Sequence, residues 1–438
     1  MEKEILDLVK QYINKKEASK TWEAGKDWVQ YAGPSFDSEE YVKAIESLLK
    51  GWLVMGPSAT SFEKKLPPFF GKAYGVLTNS GSSSNLVMMS AMTSKRLYSF
   101  PQKTKVIVPV AGFPTTLNPI LQVGFEPVFV DIEINTLNLD LSQVEEAART
   151  SGAKIITFAH VLGNPPDMKE LMKIVKQYDL ILLEDCCDAL GSTYNDKPLG
   201  SFGEMASCSF FPAHHITTGE GGFVATKTLD QEKVARSFRE WGRGCYCVGK
   251  KASLSPKGTC GVRFNNWLPS LPDEILDHKY VYEEIGYNIK PTELQGAMGL
   301  AQIKKLDDIK IKRKENFRKI FSIFKEYEEF FILPRATQNS DPSWFAFPLT
   351  VKKSAPFKRK DIMLYMERHK IQTRTYFAGN ILLQPAYSHL SSATEAMQKF
   401  PVATQATTDT FFLGTSPVIT QDQIDYIKTI MEKFYHSI

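Results

Sequence analysis

The sequence predicts an α/β fold, in which a large, mainly parallel β-sheet flanked by helices is followed by a smaller C-terminal α/β domain. Two observations lead to this prediction. Between about residues 70 and 245, short apolar runs rich in β-branched residues alternate with amphipathic stretches of helical spacing, as in a parallel sheet covered on both faces. Beyond about residue 325, both kinds of segment recur on a smaller scale.

The elements follow in chain order. The predicted strands of the large sheet are KVIVPV, EPVFVDI, KIITFAHV and LILLEDCC, and the clearest helices between them are SQVEEAART and MKELMKIVKQYD. A cysteine-, glycine- and proline-containing loop is predicted over 245–285 and a helical stretch over 286–325. The small domain contains two strand-like runs, SWFAFPLTV and QTRTYFAG, and a final helix, QDQIDYIKTIMEKFY. We therefore predict an N-terminal helical segment (1–50), a large α/β domain (51–320) with a cysteine-containing insertion (245–285), and a small C-terminal domain (321–438).

Composition and charge exclude several classes of function. The 438 residues are 43% hydrophobic and 23% charged with a net charge of +4, and the basic residues are scattered, so nucleic acid is not expected as a partner. The opening MEKEILDLVKQYINKK lacks the apolar core of a signal peptide, and no apolar run is long enough to cross a bilayer. We expect a cytoplasmic protein without a membrane partner, in which the six cysteines are thiols or metal ligands.

A small-residue turn precedes a helical stretch in TNSGSSSNLVMMSAM. Backbone N–H groups of Gly81, Ser82 and Ser83 can meet an anion at the positive end of that helix, although a plain serine cap has the same sequence. In VAGFPTTLNP, Phe113 follows a strand and can stack on a planar ring, or it is a core residue. The run LILLEDCCDALGS ends a buried strand with Glu184 and Asp185, one of which can pair with a protonated pyridine nitrogen or cap a helix.

These motifs, in this order, resemble the sugar aminotransferase branch of the fold-type I pyridoxal phosphate (PLP) enzymes. Within that branch the chain is similar to the 4-keto-6-deoxyhexose 3-dehydrases that use pyridoxamine phosphate (PMP) and an iron–sulfur cluster, typified by the CDP-4-keto-6-deoxyglucose enzyme. The resemblance covers nearly the whole chain and rests on GSSSNL, AGFPTTLNPI, LGNP, EDCCDALGSTY, PAHHITTGEGG, DHKY, NSDPSW and FAGN.

The segment SFFPAHHITTGEGG places His214 where the aminotransferases carry the lysine that bonds covalently to PLP. An imidazole forms no stable imine, but it moves protons near neutral pH. The resemblance therefore implies that His214 is catalytic and that the amine form of the cofactor is retained for elimination. His215, beside it, is a candidate substrate contact, as is Arg374, while a structural role is the alternative for both.

The resemblance also implies roles for other residues. Asp185 would pair with the pyridine nitrogen, Phe113 would cover the ring, and Asp188 would lie near the ring hydroxyl. Ser209 would hold the phosphate together with Gly81 and Ser82. Asn288 would reach the phosphate of a neighbouring subunit, which implies a homodimer with shared active sites.

The cysteine spacing has an unusual pattern. Between Cys187 and Cys245 lie 57 residues, between Cys245 and Cys247 one, and between Cys247 and Cys260 twelve. By resemblance these four cysteines would bind a [2Fe–2S] cluster, which four thiolates can hold, although the last gap is longer than in that family. Tetrahedral zinc is the rival interpretation, but this spacing fits no common zinc pattern.

The implied function is C3 deoxygenation of a nucleotide-linked 4-keto-6-deoxyhexose, in the biosynthesis of 3,6-dideoxyhexoses of lipopolysaccharide or of related deoxysugars. His214 would remove a proton from the cofactor C4′ carbon, and a separate NAD(P)H-dependent flavin or iron–sulfur reductase would supply electrons to the cluster. The chain itself shows no GxGxxG dinucleotide motif after a strand. Arg243, Arg263 and Arg374 can contact the nucleotide diphosphate or lie at the surface. The alternatives are a cluster-free 3-dehydratase that regenerates its cofactor from glutamate, and a non-catalytic iron–sulfur protein on the same fold.

Overall fold

The computed structural model describes residues 1–245, 262–265 and 267–438. The helices of the described residues are α1 (Glu2–Ala18), α2 (Ser38–Leu49), α3 (Pro57–Lys65), α4 (Gly81–Ala91), α5 (Pro114–Gln122), α6 (Leu141–Ser151), α7 (Met168–Gln177), α8 (Leu229–Arg239), α9 (Glu293–Gln302), α10 (Leu306–Lys325), α11 (Arg359–Arg368), α12 (Ala393–Lys399), α13 (Pro401–Asp409) and α14 (Gln421–Tyr435). Their strands are β1 (Tyr74–Thr78), β2 (Lys105–Pro109), β3 (Glu126–Val130), β4 (Ile155–Ala159), β5 (Ile181–Asp185), β6 (Thr193–Tyr194), β7 (Lys197–Pro198), β8 (Met205–Ser209), β9 (Gly222–Thr226), β10 (Phe331–Ile332), β11 (Ser340–Asp341), β12 (Ala346–Val351), β13 (Arg374–Thr375) and β14 (Thr410–Gly414).

The large sheet has the strand order β1-β9-β8-β5-β4-β2-β3. Its pairs are parallel from β8 to β3, whereas β9 runs antiparallel to both neighbours. The strands β2, β3, β4 and β5 fall on the four apolar runs of the sequence, so the predicted α/β sheet is confirmed. Because β1, β2, β5 and β8 point the same way, the loops that follow them meet at one edge, where open α/β sheets bind their ligands.

Local sequence explains where the helices between these strands begin. The side chain of Asp140 accepts hydrogen bonds from two backbone N–H groups at the start of α6, and Asp167 does the same for α7. Such caps satisfy donors that a helix leaves free at its first turn. Apolar residues at helical spacing then bury Val144 in α6 and Leu171 in α7 against the sheet. Caps and hydrophobic periodicity therefore position both helices as predicted.

A smaller sheet of order β10-β12-β14-β13 forms the C-terminal part. Its core is aromatic: Phe317 stacks on Trp344 and meets Phe347 edge-on. The proposed boundary at residue 321 falls inside α10, whose first residues pack on the large-sheet core while its second half packs on the small-sheet core. The helix thus belongs to both cores, and the division into domains stays a prediction.

The predicted helical stretch over 286–325 is wrong in its first part. Residues 286–292 are extended, with Tyr287 N–H donating to the Phe238 carbonyl at 2.7 Å, and α9 begins only after Thr292. Pro291 disfavours helical geometry at the residue before it, and Thr292 provides the capping box of α9. None of the described helices is both long enough and apolar enough to cross a bilayer.

Candidate active site

A cavity of about 870 Å³ opens at the edge where the strands of the large sheet end. It lies between the loops after β1, β2, β5 and β8 on one side and the small sheet on the other. The predicted site residues that line it are Gly81, Ser82, Phe113, Asp185, Cys187, Asp188, Ser209, His214 and Arg374. Residues from distant parts of the sequence are therefore brought to one site.

The two acidic residues that end β5 face opposite sides of the sheet, because side chains alternate along a strand. The Glu184 carboxylate is fully buried away from the cavity, where it accepts hydrogen bonds from the backbone N–H groups of Gly200, Phe202 and Gly203. His160 Nε2 lies 2.9 Å from Glu184 Oε2. His160, Glu184 and Cys186 lie close enough together to form a possible metal-binding group. Because the Glu184 oxygens already accept these hydrogen bonds, a structural role for Glu184 fits better.

Asp185 faces the cavity and is 4% exposed. Its Oδ2 accepts hydrogen bonds from Asn85 Nδ2 at 2.7 Å and Thr116 Oγ1 at 2.9 Å, and its Oδ1 accepts one from the backbone N–H of Cys187 at 3.1 Å. The arrangement holds Asp185 rigidly, as a group that keeps a proton on a pyridine nitrogen must be held.

The first turn of α4 lies very close to the end of β8. A Cβ atom added to Gly81 would lie 2.5 Å from Ser209 Cβ and 2.9 Å from Cys187 Sγ, so only glycine fits. Ser80 caps the helix by accepting a hydrogen bond from the Ser83 N–H at 3.1 Å. The preceding N–H groups, of Gly81 and Ser82, have no acceptor within the helix. With the Ser209 hydroxyl beside them, they form a cradle suited to a phosphate.

His214 lies on the loop after β8, and its Nδ1 atom is 3.5 Å from Asp188 Oδ1. The imidazole ring also packs against Phe345, with ring centroids 5.3 Å apart. Burial and the positive charge of Arg313 lower the pKa of His214 to about 4. Burial and the nearby Asp185 raise the pKa of Asp188 to about 7. The pair therefore combines a neutral imidazole with a carboxyl group that titrates near neutral pH, a combination suited to proton transfer.

Comparison with known proteins identifies the family. Residues 34–432 match the model of the DegT/DnrJ/EryC1/StrS aminotransferase family. The chain belongs to this family. It is 41% identical, over 99% of its length and 98% of the relative's, to the lipopolysaccharide biosynthesis protein RfbH of Salmonella typhimurium. It is 38% identical to the dTDP-4-dehydro-2,6-dideoxy-D-glucose 3-dehydratase of Saccharopolyspora spinosa, over 98% of this chain and 91% of that protein.

A solved member of the family shares the fold. The structure of E. coli GDP-4-keto-6-deoxy-D-mannose-3-dehydratase with bound hydrated PLP aligns with a TM-score of 0.78 and 29% identity, over 92% of this chain and 99% of that one. The sugar aminotransferase family and the fold-type I architecture predicted from the sequence are thus confirmed. The narrower resemblance to the iron–sulfur dehydrases within the family stays a prediction.

Two predicted contacts lie on the rim of the cavity. Phe113 is 53% exposed, and its ring meets Phe377 edge-on with centroids 6.0 Å apart. Arg374, on β13, stacks its guanidinium over Tyr31 at 4.2 Å from the ring centroid. Both side chains therefore remain available to a ligand in the cavity, as their predicted roles require.

Four other predicted residues do not line the cavity. His215 is buried, and its Nε2 bonds to the carbonyl of Ser343, an arrangement that favours a structural role. Arg263 pairs with Asp277, and Arg243 stacks on Trp241. Asn288 is exposed and accepts a hydrogen bond from Lys290 Nζ at 2.7 Å. Its predicted reach into a neighbouring subunit stays a prediction.

Only two of the four proposed cluster ligands fall within the described residues. Cys187 and Cys245 are partly exposed, whereas Cys186 and Cys208 are fully buried. Cys245 Sγ lies 3.3 Å from His278 Nε2. The other two proposed ligands, Cys247 and Cys260, lie outside the described residues.

The structure also brings to the site residues that were not singled out from the sequence. Asn85 and Thr116 hold Asp185 from two different helices, and Phe345 flanks His214 from the small sheet. Asn85 follows Gly81 by about one helical turn. The spacing within GSSSNL therefore places Asn85 and Gly81 on the same face of α4. No comparable local signal identifies Phe345.

Proposed function

We propose that this protein catalyses C3 deoxygenation of a nucleotide-linked 4-keto-6-deoxyhexose, with PMP as cofactor and a [2Fe–2S] cluster bound by Cys187, Cys245, Cys247 and Cys260. The observation that carries the proposal is the replacement of the expected lysine. Among the described residues that line the cavity there is no lysine, and His214 occupies the loop after β8 beside Asp188 and opposite the Gly81 cradle. The 3-dehydratase relatives support the same reaction class.

The cavity residues fit PMP. The cradle of Gly81, Ser82 and Ser209 suits its phosphate, Asp185 suits its pyridine nitrogen, and Phe113 lies where it can cover the ring. When bound, PMP supplies an amine that reacts with the sugar C4 ketone and an aromatic system that accepts electrons from the reacting carbons.

In the proposed reaction, residues of this chain would transfer protons and stabilise charge. Asp185, held by four hydrogen-bond donors, would keep the proton on the pyridine nitrogen. His214, whose lowered pKa keeps it neutral at physiological pH, would accept the proton released at the C4′ carbon and return it to the departing C3 hydroxyl. Asp188 orients the imidazole through Nδ1. The apolar walls formed by Phe113 and Phe345 limit the access of water.

The remaining parts of the proposal concern partners. A [2Fe–2S] cluster transfers one electron at a time, so a separate NAD(P)H-dependent flavin or iron–sulfur reductase would feed it. Cys187 lines the cavity, which would bring the cluster to the edge of the reaction site. We further propose a cytoplasmic homodimer in which Asn288 completes the neighbouring subunit's phosphate site.

Anaerobic purification followed by iron and sulfide analysis and a visible spectrum tests the cluster. Incubation with PMP, a 4-keto-6-deoxyhexose nucleotide and a chemical reductant then tests the reaction. We expect a coloured protein that forms the 3-deoxy sugar only when electrons are supplied. An iron-free protein that turns over with glutamate alone would instead support the cluster-free 3-dehydratase. Iron binding without any loss of the C3 hydroxyl would support the non-catalytic alternative.

A further inference from the structure

Arg313, on α10, is buried behind His214 and bonds only to backbone carbonyl groups. It is 1% exposed. Its Nη2 donates to the carbonyls of Ala213 and His214, each at 3.0 Å, and its Nη1 donates to that of Phe345 at 3.0 Å. Among the described residues, no carboxylate forms an ion pair with its guanidinium; burial lowers the pKa of Arg313 to about 10, and Asp188 raises it only from a longer distance. Burying a cation without a paired anion costs free energy. We therefore expect Arg313 to do more than fill space in the core.

The acceptors of these hydrogen bonds belong to two separate segments. One is the loop that carries His214, and the other leads into β12 and carries Phe345, whose ring packs on the imidazole. Neither the His214 loop nor residues 344–345 form regular secondary structure. The backbone hydrogen bonds of helices and sheets therefore do not join these two segments. The planar guanidinium, with donors in a rigid fork, joins both segments at once.

The charge of Arg313 also acts on the imidazole. The other charged or titratable groups around His214 are Asp185 at the end of β5, Asp188 in the loop that follows, His215 beside it, and Cys187, Glu220 and Arg374 along the cavity. Burial and Arg313 both lower the pKa of His214, whereas Asp185 raises it. The guanidinium therefore favours the neutral imidazole, which is the form that accepts a proton.

We propose that Arg313 is a positioning residue for His214, which fastens the His214 loop to the Phe345 segment and keeps the imidazole in its proton-accepting form. The expected effect of Arg313 on catalysis rests on the proposed function, in which His214 moves a proton. The expected effect of Arg313 on the pKa of His214 does not depend on that function.

The kinetic test compares Arg313→Lys and Arg313→Gln with Arg359→Gln. Arg359 is a matched control because it too donates to two backbone carbonyls, those of Thr407 and Thr410. For both Arg313 variants we expect kcat to fall about 10²-fold with unchanged KM, since small displacements of a catalytic group cost that much. We expect the Arg359 variant to keep the native kcat. Native kcat in both Arg313 variants would overturn the proposal.

The second test measures the protonation of His214 without substrate. The chain has seven histidines, and the NMR signal of His214 is assigned by its loss in His214→Asn. The pKa of His214 should rise in Arg313→Gln and stay near the native value in Arg313→Lys, which keeps the charge. An unchanged pKa in the glutamine variant would refute the electrostatic part of the proposal.

Melting temperatures of the three variants separate positioning from plain stability. If both Arg313 variants unfold under conditions where Arg359→Gln stays folded, Arg313 is a structural residue and the proposal is wrong. If the pKa moves as expected but the native protein does not deoxygenate its substrate, the proposed function fails and the effect of Arg313 on the imidazole stands. If the native protein deoxygenates and both Arg313 variants match it in kcat and pKa, this inference fails alone.

Discussion

His214 Nδ1 lies 3.5 Å from Asp188 Oδ1, and both side chains are nearly buried at the inner wall of the cavity. The distance is longer than that of a strong hydrogen bond, as is common for catalytic pairs without substrate. If this contact shortens so that the Asp188 carboxylate accepts a hydrogen bond from Nδ1–H, Nε2 is left as the basic atom of the imidazole. In the proposed function, Asp188 would therefore decide which nitrogen of His214 acts as the base.

This relationship predicts a pH dependence. Because the pKa of Asp188 is raised to about 7, its carboxyl group is protonated below that pH and ionised above it. The pKa of His214 is lowered to about 4, so the imidazole is neutral on both sides of that transition. We expect kcat/KM to rise with pH through an inflection near pH 7 that is lost in Asp188→Asn. An inflection that persists in this variant would assign it to another group, whereas the exposed Asp230→Asn should keep the native profile.

Substitution of His214 tests the proposed change of chemistry. His214→Asn cannot transfer protons, so we expect kcat to fall by about 10²–10⁴-fold, the usual contribution of a general base. His214→Lys restores a primary amine, and we expect it to form the 4-amino sugar, which mass spectrometry of the product detects. The exposed His389→Asn is the control. If His214→Lys deoxygenates its substrate like the native protein, the catalytic role of His214 is refuted.

The close approach at Gly81 predicts weaker cofactor binding in Gly81→Ala. The added Cβ would lie 2.5 Å from Ser209 Cβ, which would force the helix terminus away from the serine. A helix N-terminus contributes on the order of 1–2 kcal/mol to holding an anion, so we expect affinity for PLP to fall about tenfold in an absorbance titration. Gly33→Ala is the matched control, since its added Cβ makes only ordinary contacts, the nearest at 3.5 Å. Equal affinities of Gly81→Ala and the native protein would show that this turn does not hold the phosphate.

The proposed [2Fe–2S] cluster predicts which cysteines bind iron. We expect Cys187→Ser and Cys245→Ser to lose iron, sulfide and visible colour, because a [2Fe–2S] cluster needs all of its thiolate ligands. Cys186→Ala should retain all three, since Cys186 is fully buried on the opposite side of β5. Iron and sulfide analysis of anaerobically purified variants provides the measurement. Retention of the full metal content in Cys187→Ser would remove this residue from the ligand set.

Much of the fold follows from local patterns. Alternating β-branched runs predicted β2 to β5, and the final apolar periodicity predicted a helix at Gln421–Tyr435, where α14 lies. The predicted helix was wrong at 286–292, where Pro291 disfavours helical geometry at the residue before it and Tyr287 bonds to the backbone of Phe238. A local signal and a tertiary contact both oppose a helix there.

By itself, the sequence determined the succession of the central strands along the chain and the family, and it predicted that His214 stands where related enzymes carry a lysine. Only the tertiary structure decided that Asp185 rather than Glu184 faces the cavity, that Asn85 holds it across 100 positions of the chain, and that Arg313 bonds to His214 across 99. The physical reason is that backbone propensity and hydrophobic periodicity act over a few residues. Which side chains meet at the site depends on how helices and sheets pack together, and no local pattern records that packing.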